Sequence, residues 1–69
     1  MAIEYLLVTF KENRTVLADD DPVGVTNHIL MLPTRGYEIK LDGTGYSPTS
    51  QTINLLGTSI VRPMIVVFS

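Results

Sequence analysis

The sequence has no cysteine, no tryptophan and a single histidine, His28. Without cysteine there are no disulfides and no thiolate metal centre, and one histidine leaves a zinc site short of ligands. Cations are scarce and scattered: five Lys and Arg stand against seven Asp and Glu, for a net charge of −2. Binding to a phosphate backbone needs clustered Lys and Arg, so nucleic acid is not an expected partner, and no basic patch suits an anionic lipid surface. No apolar run approaches the roughly 18 residues that membrane insertion requires. The apolar N-terminal stretch lacks a basic flank, carries Glu4 inside it and shows no small-residue cleavage site, so it does not read as a signal peptide. The expected location is cytoplasmic.

Helical signals are missing too. No window sustains apolar residues at i, i+3, i+4 and i+7, and alanine occurs only at Ala2 and Ala18. What the chain has instead is Val, Ile and Thr, whose branched side chains lose rotamer freedom in a helix and fit a pleated surface. The 69 residues make one domain, 1–69, and a chain this short buries only about 60 % of its unfolded surface. Its core must therefore be well packed or completed by self-association.

Strand-like runs follow one another between turn residues. Ile3 to Phe10 places Ile3, Tyr5 and Leu7 on one face and Leu6, Val8 and Phe10 on the other. A polar turn at Lys11, Glu12 and Asn13 leads to Thr15–Ala18, a spacing that predicts a hairpin. Asp19-Asp20-Asp21-Pro22, with Gly24 after it, reads as a turn cluster. Strands are expected at His28–Leu32 and Tyr37–Leu41, joined through Pro33-Thr34-Arg35-Gly36. Two more are expected at Gln51–Leu56 and Ile60–Phe68, separated by Gly57. Ile65-Val66-Val67-Phe68 is apolar on both faces, so it lies centrally in a sheet or under another subunit. Pro63, having no N–H to donate, marks an edge, bulge or break.

Three segments together resemble the PEGA domain, a small β-sandwich module of bacterial and archaeal proteins. Val16 to Thr26 is similar to its strand, turn and Gly-x-Thr-Pro. Leu32-Pro33-Thr34-Arg35-Gly36 with Tyr37 to Leu41 is similar to its Leu-Pro-x-Gly hairpin and next strand. Gly45-Tyr46-Ser47-Pro48 with Gln51-Thr52-Ile53 and Gly57 resembles its Gly-Tyr-x-Pro loop and the strand after it. In place of Pro-Glu-Gly-Ala stands Glu12-Asn13-Arg14-Thr15; Asp20 replaces a turn glycine, Asn27 a proline, and Gly36 falls one residue late. The resemblance implies an all-β, Greek-key β-sandwich of about six to seven antiparallel strands, related to transthyretin-like and carboxypeptidase regulatory-like domains. It also implies a divergent stand-alone relative that binds and does not catalyse.

Candidate sites are few. Asp19, Asp20 and Asp21 supply hard oxygen ligands for calcium or magnesium, but no ordered set of further ligands follows and Asp caps turns anyway. His28 has Thr26 and serines available, yet no triad or nucleophile-elbow spacing. Arg35 and Tyr46 are of the types enriched in binding surfaces, although a tyrosine in such a loop also serves simply to anchor it. Gly43-Thr44-Gly45 has no helix start after it and no following lysine, which excludes a phosphate cradle. No cofactor is expected. The function expected is a non-catalytic protein-interaction or self-association module, with a protein partner or a homo-oligomer. The alternative is a carbohydrate- or small-ligand-binding domain, for which aromatic material is thin.

Overall fold

The computed structural model describes residues 2–69. Seven strands form two sheets: β1 (Ile3–Thr9), β2 (Thr15–Ala18), β3 (Asp21–Val25), β4 (Ile29–Pro33), β5 (Arg35–Leu41), β6 (Gln51–Leu55) and β7 (Met64–Val67). The smaller sheet has the order β4-β1-β7 and the larger β3-β2-β5-β6. The domain is thus all-β and sandwich-like, as expected.

Burial alternates along β1: Glu4, Leu6 and Val8 are buried, while Ile3 is exposed and Tyr5 and Leu7 are half-buried. Leu6 and Val8, followed by Phe10, meet Leu30, Leu32, Val66 and Phe68 from their own layer. Opposite them lie Val16, Ala18, Tyr37, Ile39, Leu41 and Leu55 of the larger sheet. This is one continuous core between two layers, the arrangement a two-sheet domain requires.

Four expectations change. Thr15–Ala18 does not pair with the first strand: β2 pairs with β3 and β5, and β1 with β4 and β7. The Lys11–Asn13 turn therefore carries the chain from one sheet to the other. The same happens at Thr34, where β4 leaves the smaller sheet and β5 enters the larger. The segment read wholly as a turn contains β3, an edge strand, where the missing N–H of Pro22 is tolerated. The last strand begins at Met64, after a turn closed by reciprocal Ser59 and Arg62 backbone bonds, and it runs parallel to β1. The strands are therefore not all antiparallel.

The tight turn of the β2–β3 hairpin is Asp19-Asp20, with φ of 51° and 69°. Both residues sit in the left-handed region, the geometry of a two-residue hairpin turn, which Asp tolerates better than most residues. Asn27, with φ of 67°, makes the equivalent bend before β4. Proline, confined to φ near −65°, is excluded there.

Candidate functional site

Of the charged residues singled out by type, Asp19, Asp20 and Arg35 are engaged in ion pairs. Asp19 ties β2 to β5: its backbone N–H donates to Glu38 O at 2.9 Å and its Oδ1 accepts from Glu38 N at 2.9 Å. Its Oδ2 meets Arg35 at 2.5 Å, and Asp20 pairs with Lys40. That pairing raises the Lys40 ammonium above its ordinary value, chiefly through the Asp20 hydrogen bond and charge. Asp21 points from β3 and belongs to a different side of the turn. No group of three metal-ligating side chains forms among the described residues.

His28 is exposed at the entrance to β4. Thr26, considered beside it, is fully buried. Its hydroxyl accepts from Arg14 N at 2.8 Å and donates to Glu12 O at 2.8 Å, so it braces the β1–β2 crossing and is not available as a nucleophile. Asn27 joins the brace, its Oδ1 accepting from Phe10 N at 3.2 Å. Tyr46 packs edge-on to Phe10 and Phe68, with ring centroids 6.4 and 5.5 Å away, and its hydroxyl donates to Leu41 O at 2.9 Å. Each polar end is satisfied, as a half-buried tyrosine requires.

One carboxylate that composition did not mark out is buried. Glu4 points inward at the end of the sandwich, 7 % exposed. Its Oε1 accepts from the Thr58 hydroxyl at 2.6 Å and Thr58 N at 2.8 Å, and its Oε2 from the Thr34 hydroxyl at 2.7 Å. The Thr58 hydroxyl in turn accepts from Tyr5 N at 2.7 Å. These donors hold the carboxyl below the usual carboxylate range, the Thr58 hydroxyl first, against an opposing effect of desolvation. The network pins the β6–β7 connection and the Thr34 crossing to β1.

Arg35 lines a groove of about 420 Å³ between the edge strands β3 and β4. Its floor is Ala18, Val23, Leu32 and Tyr37, and its polar rim is Asp21, Thr34 and Arg35. The guanidinium lies 4.6 Å from the Tyr37 ring centroid, and the Tyr37 hydroxyl donates to Pro33 O at 2.6 Å. The only aromatic of the groove is thus 5 % exposed, with Arg35 over it.

The largest anomaly lies on the back of the smaller sheet. Ile3 is 50 % exposed, Ile29 43 %, Met31 67 %, Ile65 52 % and Val67 60 %. Register makes them neighbours: Tyr5 is opposite Met31, Leu7 lies between Ile29 and Ile65, and Thr9 is beside Val67. Adjacent strands run about 4.8 Å apart, so the rows form one contiguous surface, apolar except at Thr9 and the Tyr5 hydroxyl. The only charged residue of these three strands is Glu4, which points inward. The outward residues of the larger sheet give the contrast, with Glu38, Lys40, Thr52 and Asn54 among them. One back is water-adapted and the other is not.

No family model, curated protein or solved structure matches the chain; what fold and sequence establish together is an all-β domain of two sheets.

Proposed function

We propose that this domain is a non-catalytic protein-interaction module whose contact surface is the outer face of β4-β1-β7. The observation that carries the reading is the apolar back of that sheet, set against the polar back of its sister. Large exposed aliphatics scattered singly mean little, but a contiguous patch of several hundred Å² marks a contact site. The sequence's likeness to PEGA domains, as a divergent relative, agrees with a binding role. So does the commitment of Asp19, Asp20, Thr26 and Tyr46 to internal bonds, which draws these four polar groups away from catalytic work.

The test is to place charge on the face. Met31→Lys and Ile65→Lys each alter an outward side chain, so folding of an isolated copy is expected to change by no more than about 0.5 kcal/mol. Binding of a hydrophobic dye such as anilinonaphthalene sulfonate, compared at a dilution where wild type and variants are all monomeric, is expected to fall sharply in both. Unfolding by either substitution, or unchanged dye binding, counts against the reading.

The groove favours a second reading, a small-ligand site, because about 420 Å³ lies within the range of known ligand pockets. A carbohydrate needs an aromatic platform, and Tyr37 is covered, so a small zwitterion matched to Asp21 and Arg35 suits the groove better. A thermal-shift series with amino acids and sugars separates these, and no shift with either removes the second reading.

A further inference from the structure

We infer that the occupant of the apolar face is a second copy of this chain, packed back to back through β4-β1-β7 about a two-fold axis. The inference rests on the reading of that face as a contact surface and adds the identity of what covers it.

Area is the first argument. The five exposed aliphatics, with the half-buried Tyr5 and Leu7, present roughly 600 Å² per copy, so two copies remove at most roughly 1,200 Å², the lower end of what stable specific interfaces bury. The area is modest, but it suits a chain whose whole accessible surface is 4163 Å².

Chemistry is the second. Interfaces that form and dissolve between different proteins are about as polar as ordinary surface, whereas homodimer interfaces are more apolar and their centres are depleted of charge. The outward face of Ile3, Tyr5, Leu7, Ile29, Met31, Ile65 and Val67 has the second character. It offers no charge for a differently charged partner to match. A molecule of net charge −2 that meets its own copy needs a contact clear of like charges. Here Asp19, Asp20, Arg35, Glu38 and Lys40 belong to the other sheet or its turn, and Asp19 and Asp20 are already paired with Arg35 and Lys40.

Geometry is the third. A self-complementary contact uses the same patch on both copies, and β1 runs through the middle of this one. Two sheets stack about 10 Å apart with strands within about 30° of alignment, which brings Leu7 and Tyr5 of each copy to the centre of the contact. Ile65 and Val67, which a lone copy leaves half-exposed on an edge strand, are then covered. That resolves the puzzle of a strand apolar on both faces.

The experiment is light scattering after size exclusion across a hundredfold dilution, on the wild type, Met31→Lys, Ile65→Lys and the control Asn54→Lys. Asn54 lies on the outer face of the larger sheet and is exposed. Expected are a wild type and an Asn54→Lys variant at twice the chain mass of 7.6 kDa, and monomers for the two face variants. The β signature in circular dichroism is expected to remain in all four. A wild type at 7.6 kDa at every dilution overturns the inference, as does a dimer that survives both face substitutions. If that monomer still binds the dye and Ile65→Lys abolishes the binding, the face is an open contact surface for a different protein. In that case only the identity of the occupant has failed. If the monomer binds no dye, the contact reading fails with it.

Discussion

Replacing Thr26 by valine removes one atom's chemistry and almost nothing of shape. The hydroxyl is fully buried, accepts from Arg14 N and donates to Glu12 O, both at 2.8 Å. Valine keeps the volume, strips the Arg14 N–H of its partner and leaves Glu12 O only the longer bond from Asn27 Nδ2 at 3.3 Å. Each lost hydrogen bond has a net value of about 1 kcal/mol, and a stranded buried group costs about 1–3 kcal/mol. Glu12 and Asn13 are exposed, so water reaches part of the crossing, and about 2 kcal/mol in total is the expected loss. Serine retains both bonds and loses a methyl group, for about 1 kcal/mol. A domain of this length has a total stability of roughly 3–10 kcal/mol, so both effects are measurable by urea denaturation followed by circular dichroism. The comparison must be made at one protein concentration, because association stabilises by mass action. If hydrophobic volume were all that mattered at this position, valine would equal or exceed the wild type. The reasoning is refuted if Thr26→Val is as stable as the wild type or more stable than Thr26→Ser.

Two further outcomes are expected. Asp20→Gly relieves a left-handed backbone at φ 69° and gives the hairpin its favoured Asp-Gly turn. The expected gain is about 0.5–1 kcal/mol, a rise of several degrees in melting temperature, despite the lost pairing with Lys40; a fall in melting temperature counts against the turn assignment. Glu4 is expected to contribute to the acid limb. Its carboxyl titrates lower in the folded chain than in the unfolded one, so its stabilising effect is complete above the ordinary carboxylate value of 4.5 and is lost as pH falls through the folded value. Stability measured between pH 7 and pH 3 is expected to drop at the acid end in the wild type and to drop less in Glu4→Gln. Parallel curves would assign the acid limb to other carboxylates.

What the sequence made legible was the period of two. Alternation from Ile3 to Phe10 divides the strand correctly into buried Leu6, Val8 and Phe10 and outward Ile3, Tyr5 and Leu7. Ile53 and Leu55 likewise face the core. Pairing was not legible, because a short polar loop between two strands looks the same whether they share a sheet or face each other across a core. The difference lies in Thr26 and Asn27, remote in sequence, which tie the Glu12–Arg14 loop down across the crossing. β3 escaped for another reason. Asp21-Pro22-Val23-Gly24-Val25 is turn-like in composition, and only its position at a sheet edge, with a register shift opposite Val16 and Leu17, makes a strand of it. Of the candidate residues, Arg35 proved to line a groove, whereas Tyr46 anchors a loop. Glu4 carried no signal: a single carboxylate in an apolar strand is interpretable only once Thr34 and Thr58 are seen around it.

The two faces of β1 explain why a chain so short is so apolar. A strand with one solvated face alternates apolar and polar residues, as β5 does with Tyr37, Ile39 and Leu41 against Glu38 and Lys40. β1 departs from this: its outward Ile3, Tyr5 and Leu7 carry no charge, and β4 and β7 repeat the pattern with Ile29, Met31, Ile65 and Val67. Continuous apolar strands belong to sheets covered on both sides, and the chain supplies a cover for only one of them. Exposed edges and faces of this composition invite indiscriminate aggregation, which natural sheets suppress by placing charge on them. The larger sheet follows that rule and the smaller one does not. A sequence that applies the rule on one back and suspends it on the other has the pattern that the proposed back-to-back pairing of two copies requires, in which the uncharged back becomes an inner face.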